Sequence, residues 1–484
     1  MDYDVIIIGA GVTGCAAAME LTKFDLRVGV LERGEDVCVG TSKANSAIVH
    51  AGFDAKPGTL MARFNVEGSA MMPELCRRLH VPFRRNGALV VAFSESDRPA
   101  LEELLERGRK NGVDCLRILE RDELHELESA LSPEAALALY APSSGIICPF
   151  DLTFAMAENA AANGAEFHFD TPVTDIVREG DRWRLGTPDG SYTAAVVINA
   201  AGVHGTELNN LVSTRRLTTV PRRGEYCLLD KKVGTLVSHT VFQLPTAMGK
   251  GVLVTPTVHG NLLVGPTAQD AADADETATT AGGLAEVLTK ARKSVPSLPG
   301  NRVITSFAGL RAHAVQSETD FIIGEAEGAP GFLNAIGIES PGLSSAPAIG
   351  AFLAESAAYL VGAKENRSYD PGREAPRRLS ELTVEERAAL VAENPAYGSI
   401  ICRCEMVSEG EILDAIRRKP GARSLDGVKR RTRAGMGRCQ AGFCMPRVLE
   451  LLSRELGVPQ ETLTKCGGAS HPILGQTREG GETK

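Results

Sequence analysis

The stretch VIIIGAGVTG at residues 5–14 decides the fold of this chain. Its four apolar residues predict a buried strand, its three glycines predict a tight turn, and residues 15–21 predict the helix that follows. A second strand is expected at residues 26–31, with Glu32 at its end. Glycines at this spacing let the chain turn, let a pyrophosphate approach the backbone and bring the helix close to the strand, while the carboxylate can bind ribose hydroxyls. The stretch therefore predicts a dinucleotide-binding unit rather than glycines that merely permit packing.

Two later segments indicate which dinucleotide is bound. Residues 193–202 end in VVINAAG, which predicts a buried strand and a small-residue turn that passes close under a cofactor. Residues 337–348, GIESPGLSSAPA, place a glycine-rich turn at the start of a helix, where free N–H groups suit an electron-rich oxygen. A compact NAD site would need only the first part of the chain, so segments spread over this length favour a flavin dinucleotide.

The segment TSKANSAIVHAG at residues 41–52 completes a resemblance to a known family. Residues 1–365 resemble the superfamily of FAD-dependent amino-acid oxidases and glycerol-3-phosphate dehydrogenases, in which this segment runs beneath the flavin. Glycerol-3-phosphate oxidases and dehydrogenases match it closely, L-2-hydroxyglutarate oxidases also resemble it, and Ala51 replaces a glycine that is usual in the family. The resemblance implies an α/β fold with a Rossmann-like FAD-binding domain and a mixed-sheet substrate domain of the amino-acid oxidase type. The residues expected to contact the FAD are Gly9, Gly11, Gly14, Glu32, Arg33, Thr41, Ser42, Asn45, Ser46, Val173, Ala201, Gly202, Gly337, Glu339, Gly342 and Leu343.

A second sheet is expected between the flavin-binding segments. Residues 87–93, 251–256 and 261–265 have the apolar pattern of strands, and substrate would lie between this sheet and the flavin domain. Arg223 and Glu225 begin a further strand and are expected to frame the pocket without a catalytic role. The expected division is an FAD-binding domain at 1–83, 145–215 and 300–365, a substrate domain at 84–144 and 216–299, a linker at 366–397, and a small helical domain with its tail at 398–484.

His50 is the predicted catalytic base. The pKa of an imidazole is ordinarily about 6.5, so its neutral form can take a hydroxyl proton while hydride leaves the same carbon for the flavin. The residue chemistry alone favours a structural histidine that caps a turn, whereas the family resemblance favours the base.

Arg311, Lys250 and Ser340 are expected to hold the substrate. Arg311 matches the arginine that reaches the substrate anion in this superfamily, and a guanidinium fork suits a phosphate or a carboxylate. Its alternative is an internal ion pair with Asp320 or Glu318, and the family's usual proline after this arginine is absent. Lys250 resembles a lysine that approaches substrate in glycerol-3-phosphate oxidases, with Ser340 as a hydroxyl beside it. The alternative for Lys250 is an exposed turn lysine.

The C-terminal region carries a second cofactor signal. The chain has 11 cysteines, and five of them lie in the last 83 residues. Four stand as C-x-C and C-x4-C pairs separated by 34 residues, and such pairs can converge on a [2Fe-2S] cluster or a structural zinc. Residues 398–455 resemble the [2Fe-2S] domain of the bacterioferritin-associated ferredoxin type, which favours the cluster over zinc and over disulfides. The expected ligands are Cys402, Cys404, Cys439 and Cys444, and Cys466 is left without a role.

Charge argues against bulk nucleic-acid binding. The net charge is −9, from 52 Lys and Arg against 61 Asp and Glu, yet residues 402–454 hold 12 basic against six acidic residues. Few aromatic residues accompany these cations, so base stacking is not indicated. We interpret the cations as stabilising an anionic cluster and steering an acidic partner.

The compartment is expected to be cytoplasmic. The chain begins MDYD and shows no basic leader or cleavage site, and the apolar residues 346–363 contain Glu355, as in a packed helix. Contact with a membrane, if there is any, is expected to run through a partner.

These signals predict a flavoenzyme that oxidises sn-glycerol 3-phosphate to dihydroxyacetone phosphate. Electrons would leave through the cluster to a partner subunit or carrier, which favours a dehydrogenase over an oxidase. The alternatives are an L-2-hydroxyglutarate dehydrogenase and a non-catalytic electron-transfer subunit.

Overall fold

The computed structural model describes residues 1–244, 251–317 and 320–475, and the chain divides into two units. The first unit contains Met1–Arg33 and Val37–Glu374. The second contains Gly34–Asp36 and Ala375–Lys484. Lys250 and Glu318, both named above, lie outside the described residues.

The first unit is built on strands and helices that follow the expected order. Its strands are β1 (Asp2–Ile8), β2 (Val28–Leu31), β3 (Ile48–Val49), β4 (Phe83–Arg84), β5 (Ala88–Ala92), β6 (Arg117–Glu120), β7 (Leu137–Ala141), β8 (Gly145–Ile147), β9 (Glu166–His168), β10 (Asp175–Glu179), β11 (Arg182–Thr187), β12 (Gly190–Asn199), β13 (Thr219–Leu229), β14 (Thr240–Gln243), β15 (Leu253–Pro256), β16 (Leu262–Gly265), β17 (Gln269–Asp270), β18 (Val303–Ala314), β19 (Ile322–Glu325) and β20 (Phe332–Ile336). Its helices are α1 (Val12–Leu21), α2 (Leu60–Arg78), α3 (Arg98–Lys110), α4 (Arg121–Leu127), α5 (Pro149–Ala162), α6 (Gly205–Val212), α7 (Ala281–Ser294) and α8 (Gly342–Val361).

An eight-stranded sheet carries the predicted dinucleotide-binding unit. Strand β1 runs parallel to β2 on one side and to β12 on the other, with Ile7 opposite both Val30 and Ile198. These apolar strands are buried because α1, α5 and α8 cover the sheet. A methyl group on Gly14 would lie 1.9 Å from the Gly9 carbonyl oxygen, so only glycine lets α1 approach the turn this closely.

A nine-stranded sheet forms the second layer of this unit. Its main path runs β17-β13-β16-β15-β14-β5-β7-β6, and β18 pairs with β13. The predicted strands at 87–93, 251–256 and 261–265 correspond to β5, β15 and β16, and all three belong to this sheet. The predicted fold class, a Rossmann-like flavin domain with a mixed-sheet substrate domain, is confirmed.

The second unit is small and helical. It contains α9 (Val384–Glu393), β21 (Ile400–Cys402), β22 (Val407–Ser408), α10 (Glu409–Arg417), α11 (Leu425–Thr432) and α12 (Met445–Leu456). Ser408 and Glu411 form a reciprocal capping box at the start of α10, which fixes where that helix begins after the first cysteine pair. Leu449 and Leu452 of α12 pack with Ile412 of α10 in the core of this unit.

Over the described ranges of the chain, no helix has both the length and the apolar character that a membrane span needs.

Candidate active site

A cavity of about 620 Å³ lies in the first unit and collects most of the predicted site residues. It is bounded by the glycine turn after β1, the segment at 41–50, strand β13 and the start of α8. The residues expected to contact FAD that line it are Gly9, Gly11, Glu32, Arg33, Thr41, Ser42, Asn45, Ser46, Val173, Ala201, Gly202, Glu339, Gly342 and Leu343. Gly14 and Gly337 are not part of the lining.

The dinucleotide end of the cavity is held by short polar contacts. Helix α1 begins after Gly11, which has no side chain to cap it, so the first-turn N–H groups that follow Val12 can meet an anion. The Val12 N–H donates to Ser42 Oγ at 2.9 Å, and the Ala10 N–H donates to Glu32 Oε2 at 2.8 Å. A methyl group on Gly11 would meet only Ser42 Oγ, at 3.1 Å, so the absence of a side chain keeps this face open to a phosphate. These features fit the pyrophosphate and ribose of FAD.

His50 and Ser340 meet in the cavity although 290 residues separate them in the chain. Ser340 Oγ lies 3.4 Å from His50 Nε2, and the His50 backbone N–H donates to Ser344 Oγ at 2.8 Å. The His50 ring also packs against Phe242, with 5.8 Å between ring centroids. The His50 backbone is therefore held by Ser344 and its ring by Phe242, with Nε2 beside a hydroxyl in the cavity wall.

Arg311 lines the same cavity and has no carboxylate partner among the described residues. Its Nη2 donates to the Thr267 carbonyl oxygen at 3.4 Å, which is a long hydrogen bond. Asp320, the alternative partner considered from the sequence, instead accepts from the Leu60 and Met61 N–H groups at 3.0 and 2.8 Å. A partly buried guanidinium whose hydrogen-bond partners are neutral suits an anionic ligand.

Tyr226 is a pocket residue that the sequence reasoning missed. Its hydroxyl lies 3.1 Å from Ser46 Oγ, and its ring stacks on Phe307 with centroids 4.9 Å apart. Burial raises the pKa of the hydroxyl, against the opposing effects of the nearby Arg311 guanidinium and Ser46 hydroxyl. The phenol thus stays protonated at neutral pH and can donate a hydrogen bond beside Arg311.

The expectation that Arg223 and Glu225 frame the pocket is wrong. Arg222, Gly224 and Tyr226 of β13 line the cavity, and side chains alternate along a strand, so Arg223 and Glu225 point to the other face. There Glu225 accepts from the Thr280 N–H at 2.9 Å at the start of α7.

The four predicted cluster cysteines lie together in the second unit. Cys404 Sγ is 3.5 Å from Cys439 Sγ, and the Cys444 thiol hydrogen-bonds Cys402, which lowers the pKa of Cys402. Among the described residues, no three of these four sulfurs all lie within 4.8 Å of one another. The sulfurs thus lie in two pairs, and each pair offers the two thiolates that one iron of a [2Fe-2S] cluster takes from the protein.

Part of the interpretation of the basic C-terminal segment needs correction. Arg430 and Arg431 are buried and bind Asp36, with Arg431 Nη2 2.6 Å from Asp36 Oδ1. Arg433 pairs with Glu405 at 2.9 Å. These cations serve the packing of the second unit, so they do not form a surface that steers a partner.

Comparison with family models assigns both units. Residues 4–356 match the model for FAD dependent oxidoreductases, and residues 400–454 match the BFD-like [2Fe-2S] binding domain. The chain therefore belongs to the FAD-dependent oxidoreductase family and carries a [2Fe-2S]-binding domain as its second unit. FAD and a [2Fe-2S] cluster are its cofactors, as predicted.

Three similar proteins indicate which kind of FAD-dependent oxidoreductase the chain resembles. The chain is 48% identical over 479 residues to a glycerol 3-phosphate dehydrogenase of Caloramator mitchellensis, covering 98% of this chain and 99% of the relative. The FAD-bound L-alpha-glycerophosphate oxidase of Mycoplasma pneumoniae superposes with a TM-score of 0.74 at 32% identity, covering 78% of this chain and all of that one. A mitochondrial L-2-hydroxyglutarate dehydrogenase of Arabidopsis thaliana is 28% identical over 400 residues, covering 72% of this chain and 82% of the relative.

Proposed function

We propose that this chain oxidises sn-glycerol 3-phosphate to dihydroxyacetone phosphate and passes the electrons out through its [2Fe-2S] cluster. The observation that carries the proposal is the cavity in which His50 and Ser340 lie together and Arg311 has no carboxylate partner among the described residues. A base for a hydroxyl proton and a cation for a phosphate are the two groups that this substrate needs. The glycerol 3-phosphate dehydrogenase relative supports the same substrate.

His50 is the proposed base. Bound FAD supplies the acceptor for the hydride from C2 of the substrate. His50 Nε2 takes the proton of the C2 hydroxyl, so that the C–H and O–H bonds break and the C=O bond of the ketone forms. Ser340 Oγ, 3.4 Å from this nitrogen, can donate to it in the free enzyme and to the substrate oxygen when substrate is bound.

Arg311 and Tyr226 are the proposed phosphate-binding residues. The guanidinium offers a fork of donors, and the protonated Tyr226 hydroxyl adds a neutral one beside it. Lys250 remains a predicted third contact, because it lies outside the described residues.

An electron-accepting protein partner is proposed at the cluster. Cys404 is exposed, and Met406 and Phe443 beside cluster cysteines are 50% and 88% exposed. Large apolar side chains at such exposure are common in protein interfaces, and Arg403 and Arg438 are exposed beside them. The acceptor should therefore present an apolar centre with carboxylates at its rim. None of the 11 cysteines, all of which lie in the described residues, is in a disulfide, and we propose a reducing, cytoplasmic setting. Any attachment to a membrane would then be made by this partner.

Anaerobic mixing tests the substrate. The holoenzyme is mixed with sn-glycerol 3-phosphate or with L-2-hydroxyglutarate, and flavin absorbance is followed. We expect rapid bleaching with the first and little with the second. Bleaching by L-2-hydroxyglutarate alone would refute the substrate, and no bleaching by either would favour a non-catalytic subunit.

The acceptor surface is tested separately with a Phe443→Ser variant. We expect reduction of an acidic ferredoxin to slow roughly tenfold or more, while flavin reduction and reduction of a small dye are unchanged. Leu474→Ser, which alters another highly exposed apolar residue of the same unit, is the matched control. An equal loss in both variants, or loss of dye reduction, would contradict the proposed surface.

A further inference from the structure

A second cluster of metal-ligating side chains lies in the first unit, outside the cavity described above. Cys148 immediately precedes α5, Asp151 lies in the first turn of that helix, and His259 lies in the turn between β15 and β16. Their donor atoms all lie within 4.8 Å of one another, and His259 Nε2 is 3.5 Å from Asp151 Oδ2. None of the three residues lines the flavin cavity.

The cluster is largely closed to solvent. Cys148 and Asp151 are each 5% exposed, and the side chain of His259 is 14% exposed. An ion pair between Asp151 and His259 at a helix start would explain these two residues without a metal. Cys148, the residue before that helix, adds a third donor, and its sulfur lies within 4.8 Å of a donor atom of each of the other two.

The donor set and the spacing suit zinc. Tetrahedral zinc with a Cys sulfur at about 2.3 Å and His and Asp donors at about 2.0–2.2 Å places neighbouring ligand atoms about 3.4–3.6 Å apart. The separation of Asp151 and His259 already has this value. The sulfur is at most 4.8 Å from either partner, so a side-chain shift of about 1 Å would complete the set.

The charges also balance. A thiolate from Cys148 and the carboxylate of Asp151 together neutralise one Zn²⁺, and His259 binds as the neutral imidazole. Binding forms a Zn–S bond and releases the thiol proton to solvent, with no change of oxidation state. A water molecule supplies the fourth ligand.

We propose that Cys148, Asp151 and His259 bind a zinc ion that fastens the β15–β16 turn of the nine-stranded sheet to helix α5. Helix α5 packs on α1, which carries the glycine turn of the flavin site. The ion therefore cross-links the substrate layer and the flavin layer of the first unit. It is a structural site, separate from the reacting centre.

Metal analysis of the holoenzyme tests this site. Protein loaded with FAD and iron is incubated with zinc sulfate, passed over a chelating resin, and analysed for zinc, iron and flavin. We expect one retained zinc per chain with iron unchanged, and an upward shift of several degrees in the temperature of flavin release. Wild-type holoenzyme that retains no zinc would overturn the proposal.

Matched variants locate the ion. Cys148→Ser and His259→Gln should each abolish zinc retention and its thermal shift while keeping flavin and iron. Cys115→Ser and His80→Asn alter exposed residues of the same types and should retain zinc. Retention of zinc by the Cys148→Ser/His259→Gln double variant would overturn the proposal.

X-ray absorption at the zinc edge covers the case in which those variants fail to fold. One sulfur with nitrogen and oxygen neighbours in the wild-type protein would support the site. Four sulfur neighbours would place the zinc at the cluster cysteines and overturn it.

Discussion

Replacement of Arg311 by alanine tests how the substrate anion is recognised. The guanidinium reaches the Thr267 carbonyl only at 3.4 Å, and its other side-chain interaction is with the neutral Tyr226 hydroxyl, so its charge and most of its donors are available to a phosphate. Hydrogen bonds to charged groups contribute about 1.5–3 kcal/mol each, and a fork makes two of them. Arg311→Ala should therefore lose about 3–6 kcal/mol of transition-state binding, which is roughly 10²- to 10⁴-fold in kcat/KM. Arg311→Lys keeps the charge but loses the fork, and should fall roughly 10- to 10²-fold.

The assay compares two substrates in each variant. Flavin reduction is measured under anaerobic conditions with sn-glycerol 3-phosphate and with glycerol, which has the same alcohol but no phosphate. The wild-type enzyme should prefer the phosphate ester strongly. In Arg311→Ala this preference should fall by the same roughly 10²- to 10⁴-fold, because the slow reaction with glycerol never used the cation.

One outcome would refute the reasoning. If Arg311→Ala slows both substrates by the same factor, the arginine supports the cavity rather than the phosphate. Flavin content and thermal unfolding of the variant, measured beside the wild type, separate that case from simple misfolding. Arg215→Ala, which changes an exposed arginine outside the cavity lining, is the matched control.

Three further predictions concern other groups of the proposed machinery. His50→Asn should slow flavin reduction roughly 10²- to 10⁴-fold while flavin and iron contents stay normal, and a wild-type rate would exclude it as the base. Tyr226→Phe keeps the ring on Phe307 but removes the hydroxyl. The loss of this hydrogen bond, about 0.5–1.5 kcal/mol, should raise KM for the phosphate ester about 2- to 10-fold. An unchanged KM would show that the hydroxyl does not contact substrate. Cys439→Ser should abolish the cluster and reduction of an acceptor protein, measured with iron content, yet spare flavin bleaching by substrate. Loss of bleaching as well would contradict separate flavin and cluster functions.

Much of the site was predictable because its parts are local in sequence. The turn at 5–14 and Glu32 follow from residue types at fixed spacing, and the structure places them at one end of the cavity. The contact between His50 and Ser340 could not be read from spacing, since 290 residues separate them. The resemblance to known flavoenzymes made both of them active-site residues, but it placed Ser340 beside Lys250 and not beside His50.

Strand β13 shows why a residue pattern alone does not predict which side chains face the cavity. Alternation along the strand was predictable, but its phase was not, because charged residues occur on both faces at Arg222 and Arg223. The phase is decided by what packs on each side. Glu225 is buried where Thr280 at the start of α7 satisfies its carboxylate, and that contact turns Gly224 and Tyr226 toward the cavity. Tyr226 was missed for this reason, since its partners come from other parts of the chain.

The basic C-terminal segment shows that a count of charged residues does not predict which of them are exposed. A count of 12 basic against six acidic residues over 402–454 indicates an electropositive surface only if the cations are exposed. Arg430 instead donates to Asp36, 394 residues away, at 3.0 Å within the buried part of the second unit. Such pairs hold the unit together and remove Arg430, Arg431 and Arg433 from the cations available for steering, whereas Arg403 and Arg438 stay exposed. Recognition of the acceptor must then depend mainly on short-range contacts, and the exposed Phe443 and Met406 beside the cluster cysteines are the side chains best placed to make them.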